Sequence, residues 1–191
     1  MKKVCMFVAV VILVTSPSFA QIQIQEKTPH LLIIPSVGIS SVMGESRDDF
    51  DLGSALGVSI FHLVDQDDNA TSVWLGGTFG YSKNQVSLET YFVSGYVRWI
   101  DALTEIRTIY AVDDSTSLFF GMGTGVTFGK GGVDLFGREV FDLNVTKWIV
   151  NLNGGVMFKI QEHIQIEIRP DYRLIFKAED RFAINVGVVF Q

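Results

Sequence analysis

The chain has 191 residues, 48% of them hydrophobic and 19% charged, with a formal net charge of −6. That length suits one ordinary domain, and the apolar content excludes a disordered chain. The negative balance argues against nucleic acid as a partner.

Lys2 and Lys3 open the chain, an apolar run extends from Val4 to Val14, Pro17 breaks any helix, and Ser18-Phe19-Ala20 precedes Gln21 with small residues at its first and last positions. This is the pattern of a secretory signal over residues 1–20. A membrane anchor is the competing reading, but the run falls well short of the ~20 apolar residues a span requires. Removal of the signal leaves 171 of the 191 residues and, with Lys2 and Lys3 gone, takes the net charge from −6 to −8. Cys5 lies inside the signal and not at the expected cut, where a lipoprotein would place it. The mature chain therefore has no thiol, no disulfide and no cysteine metal site. No other segment approaches ~18 uninterrupted apolar residues, which excludes a helical membrane protein.

A polar leader over residues 21–30 precedes segments of period two, the signature of strands with two chemically different faces. Leu31 to Val42, Asp51 to Val64 and Thr71 to Lys83 alternate loosely, and Leu88 to Ile100 and Leu103 to Val112 follow. Alternation is clearer in Ser117 to Gly129, where Leu118, Phe120, Met122, Val126 and Phe128 oppose Ser117, Gly121, Gly123, Gly125 and Thr127. It continues in Lys147 to Ile160 and Ile164 to Phe176, and it is cleanest in Phe182 to Phe190. Tight polar connections at Asp65–Asn69, Asp113–Thr116 and Gln161–His163 alternate with longer ones around Gly44, Asn84, Gly131 and Glu179, as in an up-and-down meander with turns at one end and loops at the other.

The segments number nine if Leu88 to Ile100 and Leu103 to Val112 are separate. Eight follow if they form one long strand with a bulge near Asp101, or if part of the stretch is a hairpin above the bilayer. A short interfacial helix from Ala102, capped by Asp101, is a third possibility. The preferred reading is eight strands, with a bulge at each of Pro35 and Pro170, since a closed sheet has no edge to hide a missing donor.

Volume decides which face points inward. The clear strands carry far more large apolar side chains on one face than the interior of an eight-stranded barrel can hold, whereas the opposite face is rich in Gly, Ser, Thr and Asn. Aromatics near strand ends, Trp99, Tyr110, Trp148, Phe176 and Phe190, suit interfacial girdles. The expected fold class is all-β: a closed antiparallel up-and-down transmembrane β-barrel over residues 31–191, with an outward apolar band. Export and such a band together place it in an outer membrane.

The Ser117-Leu118-Phe119-Phe120-Gly121-Met122-Gly123 strand after an Asp-rich turn, and a closing strand ending in the aromatic Phe190, resemble the small outer-membrane β-barrels of the OmpA and OmpX type. They are still more similar to the single-domain outer-membrane barrels of Bacteroidota. The resemblance covers Leu31 to Gln191 and implies insertion by the barrel-assembly machinery, although here Gln191 follows the final aromatic. It implies an architecture and no particular activity.

With both termini in the periplasm, His30, His62 and His163 all fall at the periplasmic end, away from the outer rim where a lipid-modifying barrel enzyme would set a His beside Ser or an acid. The expectation is no catalytic residue, no metal and no cofactor. Glu167, Arg169, Asp171 and Arg173 alternate in sign on the inward face of one strand, and Arg98, Lys147 and Lys159 are candidates to join them. They read as an ion-pair network filling a closed lumen, or alternatively as a proton or ion path. Asp65-Gln66-Asp67-Asp68-Asn69 lacks the Gly and distal Glu of a calcium loop.

Gly129 to Asn144 is unusually apolar for an exposed loop. Val133, Leu135, Phe136, Arg138 and Phe141 make it the candidate extracellular binding site, either a hairpin offering an edge or patch to a protein partner or one that packs on itself. The expected function is a non-catalytic monomeric barrel, surrounded by outer-membrane lipid and lipopolysaccharide, acting in surface structure or in binding through its outer loops. The alternatives are a lipid-modifying barrel enzyme and a soluble periplasmic lipocalin-like barrel with its apolar faces turned inward.

Overall fold

The computed structural model describes residues 31–44, 50–67, 71–88, 93–135 and 138–191. The expected signal and leader over residues 1–30, with His30, and Phe136 and Gly137 lie outside the described residues. Those described form eight strands, β1 (Leu31–Met43), β2 (Gly53–Gln66), β3 (Thr71–Leu88), β4 (Val93–Ala111), β5 (Thr116–Leu135), β6 (Arg138–Gln161), β7 (Ile164–Ile175) and β8 (Asp180–Phe190). Each pairs antiparallel with its neighbour in sequence, and β1 pairs with β8, so the sheet closes and no edge is left around the ring.

The stretch that allowed nine segments is the single strand β4, paired without a shift to both β3 and β5. The bulge near Asp101 and the helix from Ala102 do not occur; Asp101 is a strand residue whose side chain is fully buried. Pro35 and Pro170 also lack the expected bulges. Pro35 pairs with Val58 of β2, while the ladder to β8 steps from Ile33 to Ser36 in unchanged register. Pro170 pairs with Ile184 of β8, while the ladder to β6 steps from Ile168 to Asp171. Each proline thus turns its missing N–H toward an interruption in one ladder, so no extra residue is needed. The register shifts instead fall near strand ends, between Leu63 and Asp65, between Val133 and Asp134, and between Lys159 and Gln161.

The outward face is apolar. Phe79 is 61% exposed, Phe120 62% and Trp148 65%, and Tyr110, Phe176 and Phe190 also point outward. This orientation excludes the lipocalin-like alternative, which needs the same residues inside. Trp99 is the exception to the expected girdle: it points inward, buried beneath the Arg181 guanidinium at 4.8 Å.

Inside, polarity is layered along the axis. The turn end is packed by Leu32, Ile34, Phe61, Trp74, Phe119 and Val189, with Ile109 and Met157. Charged and amide side chains fill the middle, and Ser40 and Asn84 lie near the opposite end. Asn84, expected in a loop, is a fully buried β3 residue whose amide donates to the Ser40 carbonyl at 3.1 Å and the Asp51 carbonyl at 3.2 Å. Gly131 likewise belongs to β5, and β7 joins β8 through a short turn in which Lys177 has φ 58. The alternation of short and long connections is therefore weaker than expected, because residues assigned to loops extend the strands.

Candidate functional site

The inward positions of β4, β7 and β8 converge on a buried network of ion pairs. Arg107 donates to Glu105 at 3.3 Å and to Glu167 at 2.5 Å, and Arg169 donates to Glu167 and Asp171, both at 3.0 Å. Asn151 donates to Asp171 at 3.3 Å, and Asn185 donates to the same carboxylate. Nearer the other end of the barrel, Asp101 accepts from Arg173 and, at 2.7 Å, from Arg181, which also donates to Ser82 and Thr127 at 3.1 Å each. The Arg107 guanidinium lies between the Phe61 and Phe119 rings, 4.4 Å from each centroid.

Four carboxylates, Asp101, Glu105, Glu167 and Asp171, thus meet four guanidiniums, Arg107, Arg169, Arg173 and Arg181. The charges balance, as burial demands. Small inward residues make the space: a Cβ on Gly121 would stand 2.8 Å from Glu105 Oε1, and one on Gly80 would stand 3.4 Å from an Arg173 nitrogen. Every cation of the network is an arginine, which does not release its proton in a protein. The arrangement suits structural filling better than a proton relay.

The structure brings Glu167, Arg169, Asp171 and Arg173 into these ion pairs and leaves out the three cations grouped with them. Arg98 corrects its assignment outright, since it is exposed on the outer face with its guanidinium 4.4 Å from the Tyr96 ring. The inward residues of β4 have the opposite parity. Lys159 is exposed beside the β6–β7 turn, and Lys147, half-buried, takes part in no ion pair among the described residues. Asp101, Glu105, Arg107 and Arg181 are members that the sequence reading missed. Glu105 and Arg107 share the parity of Asp101, but the same face of β4 also carries Val97, Trp99, Leu103 and Ile109, so apolar content along this strand did not mark it as inward.

A cavity of about 430 Å³ opens at the turn end, lined by strand-end residues including Leu31, Leu63, Gln66, Thr71 and Gln191 and floored by Trp74. The packed apolar layer closes it from the charged middle. His62 is exposed on the outer face, and His163 is exposed in the β6–β7 turn. No group of three or more His, Cys, Asp or Glu side chains suited to a metal occurs among the described residues.

At the opposite end, β5 and β6 remain paired as far as Leu135 and Arg138, so Gly129 to Asn144 is a hairpin whose tip, Phe136 and Gly137, lies outside the described residues. Val133, Leu135, Arg138 and Phe141 are strand residues within it. β7 begins to pair with β6 only at Ile149, so among the described residues 138–148 of β6 have a ladder on one side alone.

No protein-family model and no curated protein matches this chain. Its structure is similar to that of Ail, the attachment invasion locus protein of Yersinia pestis, solved in complex with the heparin analogue sucrose octasulfate, at 13% identity and TM-score 0.60 over 86% of this chain and 99% of that one. It is likewise similar to Neisserial surface protein A, at 10% identity and TM-score 0.57, again over 86% and 99% of the two chains. A closed eight-stranded meander, an outward band of exposed apolar side chains and this shared fold together make the protein an integral outer-membrane β-barrel.

Proposed function

We propose that this barrel is non-catalytic and acts at the cell surface, through the hairpin of β5 and β6, in surface structure or in binding an extracellular protein. The observation that carries the reading is the length of β6. It runs from Arg138 to Gln161, while β7 pairs with it only from Ile149, so among the described residues the outer part of β6 has no strand along one edge. Such an edge is a template for strand addition by a partner. The balanced interior and the position of both described histidines in the periplasmic half of the barrel support a role without catalysis. Ail, which shares the fold, was solved with a sulfated sugar bound.

The test compares cells carrying the intact protein, cells in which residues 131–142 are replaced by a two-residue turn, and cells lacking the gene. The expected result is one lipid A mass profile in all three. A photo-crosslinker at position 140 should form adducts with an external protein on intact cells, and one at position 186 in the lipid band should not. A changed lipid A mass on deletion would replace this reading with a lipid-modifying enzyme.

A further inference from the structure

The outer face carries a feature that the hairpin reading does not use. Strand register sets Ser54 opposite Lys83, Lys83 opposite Arg98, Arg98 opposite Lys130 and Lys130 opposite Asn144. All five are outward positions, and Arg98 and Lys130 are exposed. Three cations therefore lie side by side on adjacent strands, about 4.8 Å apart along the ladder. Like charges directly opposite one another are destabilising unless something neutralises them. Tyr96 draws two of them together, with Lys83 Nζ 5.5 Å and the Arg98 guanidinium carbon 4.4 Å from its ring centroid.

Among the residues whose side chains are described, which do not include 133–143, no carboxylate forms an ion pair with any of the three. The nearest acids by register belong to the next row outward, Asp51 beside Gln85 and Asp142 opposite Gly132. The row beneath is lipid-facing: Leu56, Tyr81, Ile100 and Phe128 are paired in sequence across β2 to β5, with Leu56 52%, Ile100 55% and Phe128 47% exposed. The cations thus stand at the outer boundary of the apolar band.

We propose that Lys83, Arg98 and Lys130 form a site for the phosphate of a phosphorylated glycolipid of the outer leaflet. Ser54 and Asn144 flank it as hydrogen-bonding groups. A lipid is the occupant that fits both features, because its phosphate neutralises the row while its acyl chains lie on the apolar row below; a soluble anion would use only the first. The site is on the wall of the barrel and stands whether or not the hairpin above it binds a protein.

The test titrates the refolded barrel in detergent with bisphosphorylated lipid A, with the same glycolipid stripped of phosphate, and with inorganic phosphate as competitor, reading bound lipid by native mass spectrometry. Replacing all three cations (Lys83→Gln, Arg98→Gln and Lys130→Gln) should weaken binding of the phosphorylated lipid on the order of a hundredfold, taking ~1 kcal/mol per cation at an anionic surface. The control Lys159→Gln with Lys177→Gln should bind as the wild type does. Unboiled gel mobility establishes that each variant is folded, and if the triple variant does not fold, Arg98→Gln alone should weaken binding about fivefold. Equal affinity of folded variant and wild type, equal binding of the dephosphorylated glycolipid, or displacement by an equal concentration of inorganic phosphate would overturn the proposal.

Discussion

Replacing Asp101 with alanine tests whether the interior of this barrel is dry enough for its charges to need one another. Asp101 is fully buried and accepts from both Arg173 and Arg181. Without it, Arg181 keeps Ser82 and Thr127 at 3.1 Å and the Trp99 ring at 4.8 Å, whereas Arg173 keeps no acceptor among the described side chains. Removing one partner of a buried ion pair costs about 3–5 kcal/mol, because it strands the opposite charge. Asp101→Ala should lose that much, and Asp101→Asn about 1–3 kcal/mol, since an amide oxygen still accepts a hydrogen bond. The double variant Asp101→Ala with Arg173→Met should be more stable than Asp101→Ala alone, because the stranded guanidinium is gone. Urea unfolding in lipid vesicles, followed by unboiled gel mobility, measures all three. A loss of less than about 0.5 kcal/mol for Asp101→Ala, the range of an ordinary surface change, would mean that water in the lumen solvates the arginines and that the desolvation argument fails.

The remaining predictions probe the wall, the turns and the lumen. A Cβ on Gly125 would press on the Ala102 carbonyl oxygen and stand 2.9 Å from Leu103 Cα, so Gly125→Ala should cost about 1–3 kcal/mol in the same assay. Gly77→Ala, whose Cβ meets only the Leu103 carbonyl oxygen, at 3.3 Å, should stay within about 0.5 kcal/mol of the wild type. Val186 faces lipid between Val37 and Ile168, so Val186→Arg should lower stability by about 2–4 kcal/mol if it lies at the midplane, measured as folding free energy into vesicles. In the β4–β5 turn, the Ser115 hydroxyl and N–H donate to Asp113 at 2.7 and 2.8 Å and hold its carboxyl below the ordinary value of 3.8. Because the folded value is depressed, the stabilisation is present above that ordinary value and is lost as pH falls through the lower, folded one. Ser115→Ala should raise the Asp113 midpoint in a carboxylate NMR titration. Planar-bilayer recordings should show no unitary conductance, since packed side chains fill the interior from the apolar layer through the ion pairs.

Alternation along the chain was enough for the architecture. A lipid-facing strand must be apolar at every second residue, and the large side chains of Phe182 to Phe190 or Leu118 to Phe128 exceed what eight strands can enclose, so sequence determined both the barrel and its inside-out orientation. It also determined which β7 residues face inward, because Glu167, Arg169, Asp171 and Arg173 share one parity. It did not determine what they meet. Asp101 looked like a break between two strands because a charge interrupts an apolar run. Only closure of the ring, which brings β4 across the lumen from β7 and β8, makes it the counter-ion of Arg173 and Arg181. Trp99 and Arg98, adjacent and both plausible on either face, were assigned to the wrong sides for the same reason: parity in β4 is legible only once its register with β3 and β5 is known. The row of Lys83, Arg98 and Lys130 is likewise invisible in a chain where these residues are 15 and 32 positions apart. Period two is a local property, dictated by backbone geometry residue by residue. Charge pairing and the cation row depend on contacts between distant strands, and those exist only in the closed barrel.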